Sequence, residues 1–241
     1  MAIGLLGKKL GMTHVYDDYG RRRTVTAIQA GPCTVLGLRE QDKHGYQAVQ
    51  VGFEPIKESK RNKAELGQFK QAGSGPFRYV REFRVDVKDM KVGGELTVGV
   101  FQQYELVDVT GISIGKGFQG GMKRWGWHGG NKTHGSTSHR RPGSIGSTTT
   151  PGRVWKGHHL PGHMGNAQVT VQSLRIVQLD AENNLILVEG SVPGSENQLV
   201  VISKSVKRPG VIRKPQAVQN VVDDEEVLNK NAKAAKAKKA A

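Results

Sequence analysis

Residues 111–165 read GISIGKGFQGGMKRWGWHGGNKTHGSTSHRRPGSIGSTTTPGRVWKGHHLPGHMG. The stretch holds 15 of the chain's 32 glycines, all three tryptophans and six of the eight histidines. It carries eight Lys or Arg residues and no acid, and the acid-free run extends from Val109 to Leu179. Aliphatic residues are few and follow no period, so the stretch presents no face to bury. A segment this long without its own core is not an ordinary loop. Ordering its backbone would cost about 1–2 kcal/mol per residue, with no apolar burial inside it to offset that. It is expected to be flexible alone and ordered by a partner.

The flanks read differently. Apolar and β-branched runs recur between turn signals at Thr24–Ala30, Gln47–Phe53, Leu96–Phe101, Glu105–Val109, Gln168–Leu179, Leu185–Val192 and Leu199–Ile202. Gln168-Val169-Thr170-Val171 alternates as a half-buried strand does. Asn183-Asn184 suits a hairpin turn between two of these runs. Short, evenly spaced strands of this kind predict a barrel or a sandwich. Residues Asn62 to Ala72 predict one short helix with Leu66 and Phe69 on one face. Strands before and after residues 111–165 make that stretch an excursion from a β domain.

Charge divides along the same boundary. The 241 residues carry 36 Lys and Arg against 21 Asp and Glu, a net +15, and 36% are hydrophobic. Residues 111–165 and Lys204 to Ala241 together hold fourteen of the fifteen net charges, so a near-neutral body carries two basic appendages. Such a surplus favours a polyanionic partner, nucleic acid or an anionic membrane. No apolar run approaches the roughly 20 residues that cross a bilayer. Met1 to Gly11 lacks the apolar stretch of a signal peptide and the Arg- and Ser-rich character of a transit peptide. The single Cys33 cannot form an internal disulfide or a cysteine zinc cluster, so a reducing, cytoplasmic location is the default.

Gly115-Lys116-Gly117-Phe118-Gln119-Gly120 spells G-x-G-x-x-G after a strand. A dinucleotide site needs a helix next and an acid about 20 residues on. More glycine and aromatic residues follow here, and the next acid is Asp180. His128, His134, His139, His158, His159 and His163 invite a metal hypothesis, but no Cys or carboxylate accompanies them. The Ser, Thr and His residues from Gly135 to Thr150 lack a local acid to orient a base, and Gly143-Ser144-Ile145-Gly146 does not fit the nucleophile elbow. No metal, cofactor, small-molecule substrate or catalytic residue is expected.

The stretch does interleave cations with planar rings, as in Lys123-Arg124-Trp125-Gly126-Trp127-His128. Cations neutralise phosphates and release counterions. Rings and guanidinium planes stack on unpaired bases, and imidazoles do so too while bonding phosphate and ribose. The expected RNA contacts are Lys116, Lys123, Arg124, Trp125, Trp127, His128, Lys132, His134, His139, Arg140, Arg141, Arg153, Trp155, Lys156, His158, His159 and His163. Pro142, Pro151 and Pro161 stiffen the chain locally. DNA readers insert a helix or paired strands into a groove, whereas a glycine-rich, aromatic-bearing excursion suits irregular folded RNA.

Several motifs together resemble one family. The opening Gly4-Leu5-Leu6-Gly7-Lys8-Lys9-Leu10-Gly11-Met12-Thr13 closely resembles that of the bacterial large-subunit ribosomal protein L-three family. So do Gly115-Lys116-Gly117-Phe118 with Lys123-Arg124-Trp125, then Arg141-Pro142-Gly143-Ser144-Ile145-Gly146, Thr150-Pro151-Gly152-Arg153-Val154 and Gly162-His163-Met164-Gly165. Val169-Thr170-Val171-Gln172 and Asn184-Leu185-Ile186-Leu187-Val188 follow in the same order. The likeness runs from about Met1 to about Ser203.

The resemblance implies a mainly β chain: a small β-barrel domain over 1–110 and 166–203, with a helical insertion near 60–75. It implies that 111–165 is an extended, irregular finger penetrating ribosomal RNA toward the peptidyl-transferase centre, its tip at Ser144, Ile145, Gly146, Ser147, Thr148, Thr149, Thr150 and Pro151. Residues 204–241 are left as a basic, disordered tail that exceeds the usual family length. A structural role follows: binding near the 3′ end of the large-subunit RNA, supporting early assembly, with proteins L-fourteen and L-nineteen as neighbours. Ser147, Thr148 and Thr149 stand where many relatives carry Gln, Asn or basic residues. Some relatives are methylated on a glutamine aligned with Thr149, a modification this chain cannot receive. Another nucleic-acid-binding architectural protein or a nucleotide-dependent enzyme are the alternatives.

Overall fold

The computed structural model describes residues 4–85 and 90–215. It is mainly β, as expected, with twelve strands and three short helices among the described residues. Strands β1 (Leu5–Tyr16), β2 (Arg22–Ala30), β3 (Cys33–Arg39), β4 (Ala48–Pro55), β5 (Phe77–Phe83) and β6 (Glu95–Leu96) precede the finger. Next come β7 (Leu106–Ile112), β8 (Gly117–Gln119), β9 (Gly162–Met164), β10 (Gln168–Asp180), β11 (Leu185–Glu189) and β12 (Leu199–Lys204). Helices α1 (Gln41–His44) and α2 (Lys63–Gln71) lie on the β3–β4 and β4–β5 connections, and α3 (Gly121–Trp125) lies in the finger.

Six antiparallel strands close on themselves in the order β1-β12-β7-β10-β11-β2. The seam joins the two ends of the body: Leu5 pairs with Ile202 and Lys8 with Leu199. A second sheet, β5-β4-β3-β6, packs beside the ring. Leu5, Leu6, Ile28, Val107, Val109, Ile176, Ile186 and Ile202 from the ring share one core with Cys33, Val35, Val49, Val51 and Phe83 from the sheet. Fully burying each such side chain is worth about 1.5–3 kcal/mol.

The family-like opening motif is explained by packing. A Cβ on Gly7 would lie 2.8 Å from Ile28 Cγ2 and 2.9 Å from Gln29 O. One on Gly4 would lie 2.6 Å from Phe83 Cε1 and against Ile202 O. Strand β1 is therefore glycine-bearing where β2, β12 and the second sheet press on it. Lys9 Nζ donates to Val192 O and Gly194 O, both at 2.9 Å, and Lys8 faces Glu54 at 3.8 Å.

The expected helix at 62–72 is α2. Glu65 accepts from Asn62 N at its start, and Phe69 is buried against Leu36 and Phe77. The expected Asn183-Asn184 turn is present: Asp180 accepts from Glu182 N, Asn183 N and Asn183 Nδ2, and Asn184 adopts φ 51°. The strand read at Leu96–Phe101 is instead mostly a 3₁₀ turn, Val98–Val100. Its i and i+3 residues eclipse, which sinks both Val98 and Phe101 into the core.

The tail boundary at residue 204 also moves. Ser205 is buried, Val206 N donates to Asp108 Oδ2 at 3.1 Å, Ile212 bridges to Glu105, and Arg213 N donates to Tyr104 O at 2.8 Å. The chain is thus bonded to the ring as far as Arg213. It is held there because Asp108, a buried carboxylate, needs the Ser173 and Val206 amides as donors. The disorder expected for residues 216–241 lies outside the described residues. Among the described residues, no helix is long and apolar enough to cross a membrane.

Candidate nucleic-acid interface

The finger grows directly out of the ring. Strands β7 and β10 remain paired to Ile112↔Gln168, and the two legs continue as a ladder. Ser113 N donates to Ala167 O at 2.9 Å, Asn166 N to Ser113 O at 3.0 Å and Lys116 N to Met164 O at 2.9 Å. Then β8 pairs with β9 from Gly117↔Met164 to Gln119↔Gly162. Gly165 makes this approach possible: its φ is 76°, and a Cβ there would strike Ile114 O. The finger therefore has a zipped stalk, and Phe118 and His163 are exposed on opposite legs of it.

Above the stalk, α3 makes one turn and ends at Gly126 in the left-handed region, φ 73°. The sequence argument against a dinucleotide site rested partly on the lack of a helix after Gly120, and this turn corrects that part of it. Glycine supplies it, because the Trp127 ring lies so close over Gly121 that any Cβ would collide with it. The rest of that reading stays unsupported: α3 spans five residues, and the next acid, Asp180, ends β10.

Leu160 O gathers the base of the finger. It accepts from Arg124 Nη1 and from Trp125 Nε1, each at 2.8 Å. The Trp125 ring stacks on His159 with centroids 4.1 Å apart, and the Arg124 guanidinium lies 4.9 Å from the same ring. Further out, His139 bonds Asn131 O at 2.9 Å and Gly130 N donates to His139 O, closing a loop that carries Lys132 and His134. Arg153 lies 5.1 Å over Trp155, which is 61% exposed. The tip holds Ser144 Oγ donating to Gly146 O at 3.1 Å, with Ile145, Ser147, Thr148, Thr149 and Thr150 exposed and Pro151 half-buried.

The structure thus separates the expected contacts into two groups. Arg124, Trp125, Trp127, His139 and His159 have partners inside the finger. Lys116, Lys123, His128, Lys132, His134, Arg140, Arg141, Arg153, Trp155, Lys156, His158 and His163 are exposed, with Arg153 and Trp155 lying against each other. Among the described residues none of the eight finger cations forms an ion pair, whereas Arg21, Arg23, Arg39, Arg61, Arg78, Arg175 and Lys204 of the body all do. No three His, Cys, Asp or Glu side chains converge as metal ligands among the described residues. From residue 128 to 159 no apolar side chain is buried. Chemically, the finger offers uncompensated cations and one open indole on a braced stalk. The sequence reading missed the stalk and the bonding at Leu160; the glycines beside Trp127 and the paired glycines at both feet were the available signals.

A family model described as Ribosomal protein L3 matches residues 56–184. Among similar proteins, the large ribosomal subunit protein uL3 of Geotalea daltonii is 53% identical over 205 residues, covering 85% of this chain and 97% of that one. The protein of the same name from Trichlorobacter lovleyi is 51% identical with the same coverage. That from Brachyspira hyodysenteriae is 45% identical over 207 residues, 86% of this chain and 95% of its own. With more than half its length matched by the model and such identity across nearly the whole of these relatives, this chain belongs to the ribosomal protein L3 family of the large ribosomal subunit.

Proposed function

We propose that this protein is a structural constituent of the large ribosomal subunit that binds its RNA chiefly through the finger at residues 111–165. The ring of six strands serves as the small β-barrel from which the finger projects. One observation carries the reading: eight cations stand on a hydrogen-bonded stalk with no carboxylate partner among the described residues. Such charge is costly to assemble unless a polyanion neutralises it. The finger contacts RNA near the 3′ end of the large-subunit molecule, supports early assembly, and brings Ser144 to Pro151 toward the peptidyl-transferase centre. L-fourteen and L-nineteen are its protein neighbours, and the ribosome is its place of work. The tip acts by positioning RNA, since its Ser and Thr side chains have no base beside them to activate them.

The test is salt dependence of binding between the full-length protein and a large-subunit RNA transcript. Replacing Lys123, Lys132, Arg140 and Arg141 by Ala removes four exposed cations. The plot of log affinity against log salt should flatten by roughly three units, at about 0.7–0.9 per phosphate contact. An unchanged slope would place these side chains away from the phosphates. Substitutions at Ser147 to Thr149 should leave affinity and assembly near normal and shift peptide-bond formation, or drug sensitivity at that centre, only modestly. A loss of peptidyl transfer by many orders of magnitude in assembled subunits would contradict the positioning role.

A further inference from the structure

The ring carries a second basic cleft, at the end away from the finger. The finger root is the pair Ile112↔Gln168, and the cleft begins at Leu106↔Arg175, six to seven residues along the same two strands. At about 3.3 Å per residue the two lie roughly 20 Å apart. The cleft has a volume of about 510 Å³. Arg21, Arg23, Arg175, Arg213 and Lys214 line it, with Glu189 as the one carboxylate among the lining residues.

Its cations come from three separate parts of the chain and are held in place. Arg21 and Arg23 share Asp17, at 3.0 and 3.2 Å, and Arg23 also meets Glu189 at 3.5 Å. Arg175, largely buried, binds Glu189 through Nη2 at 2.8 Å and donates through Nη1 to Arg213 O at 3.2 Å. Its Nε is buried without a hydrogen-bond partner among the described residues. Arg213 and Lys214 are exposed, and neither has a carboxylate partner among the described residues. Counting Asp17 and Glu189 against the five, the site keeps a surplus of three positive charges. The family-like motifs end near Ser203, so Arg213 and Lys214 belong to this chain's own extension.

We propose that this cleft is a second RNA-binding site, which grips the phosphate backbone of a strand and is completed by the docked extension. The inference rests on the ribosomal reading above, since it takes the same RNA as the partner. Guanidinium forks match phosphate oxygens in pairs, and four of the five cations are Arg. No aromatic side chain is among the lining residues, so the cleft recognises backbone charge rather than bases. The finger and the cleft together hold RNA at both ends of the ring.

Site-directed cleavage tests this with the full-length protein bound to large-subunit RNA. The native Cys33 is fully buried, and burial pushes its thiol up to about 11, so a thiol-reactive iron chelate will attach only to an introduced cysteine. Probes at Ser147→Cys and Lys214→Cys should each cut RNA, at different nucleotides. Cleavage from position 147 with none from 214 would overturn the cleft while leaving the finger intact. Cleavage from neither would overturn both readings. In parallel, Arg213→Glu with Lys214→Glu should flatten the salt slope by about 1.4–1.8 units, the value for two contacts. This loss should add to that of the finger variant. A slope identical to the parent protein's would overturn the proposal.

Discussion

The indole of Trp125 lies flat on the imidazole of His159, with ring planes 5° from parallel. That face of the ring is taken, Arg124 approaches the same indole, and Leu160 O takes its N–H. Trp125 therefore uses one ring face and its N–H inside the finger, although the residue is still 42% exposed. Trp155 is more open: with Arg153 over its ring, it remains 61% exposed.

The two tryptophans should consequently separate in experiment. Trp155→Ala should weaken RNA binding by about 1–3 kcal/mol, one base stack, while near-ultraviolet circular dichroism of the free protein changes little. Trp125→Ala should alter that spectrum in the free protein, because it dismantles a stack and a hydrogen bond already made. Equal RNA affinity for Trp155→Ala and the parent protein would mean that no base rests on this ring.

Excising the finger should spare the body. Replacing Lys116 to His163 with a short Gly/Ser linker keeps the Ile112↔Gln168 pair and the Ser113–Ala167 hydrogen bonds. The core inside and beside the ring draws no side chain from residues 113–167. Thermal melting followed by far-ultraviolet circular dichroism should still show a cooperative β-type transition. A protein that no longer folds would mean that the finger belongs to the core.

Acid should loosen the corner around Asp17. Burial pushes its carboxyl up, but hydrogen bonds from the Arg21 and Tyr19 amides and the Arg23 and Arg21 side chains outweigh that and hold it below the ordinary value. A carboxyl depressed on folding contributes stability that is complete above its unfolded pKa, about 3.9, and lost as pH falls through the folded value. Asp17→Asn should therefore melt below the parent protein at pH 7, with the gap closing as pH falls below about 4. A gap of constant size down to pH 3 would show that the charge of Asp17 contributes nothing.

Much of the body was legible because its strands obey simple patterns. β10 alternates in residue type along its start, although Gln168, Val169 and Thr170 are all exposed there, and Asn183-Asn184 marks the hairpin that follows. β1 was not read as a strand, because Gly4, Gly7 and Gly11 and its lysines interrupt the apolar pattern. Gly4 and Gly7 answer to neighbours on other strands, which a local pattern does not reveal. Val98 and Phe101 misled in the opposite sense: an apolar run looked extended while a tight turn buried its ends. In the finger, composition alone exposed the cations. It did not show that Arg124 and Trp125 are engaged, since Leu160 lies 36 and 35 residues away. The sequence reading did not single out Arg21 and Arg23, since only the fold brings Arg175 and Arg213 to them.

The Leu5↔Ile202 seam also sets a timetable. On a translating ribosome β1 emerges first and waits for a partner strand almost two hundred residues behind it. At about 5–20 residues per second that wait lasts roughly 10–40 s. The cationic hairpin is made in the middle of this interval, so it is already outside while the ring still lacks its last stave. Whatever greets it then, RNA or a chaperone, meets an unfinished protein whose first strand has nothing to pair with on one side.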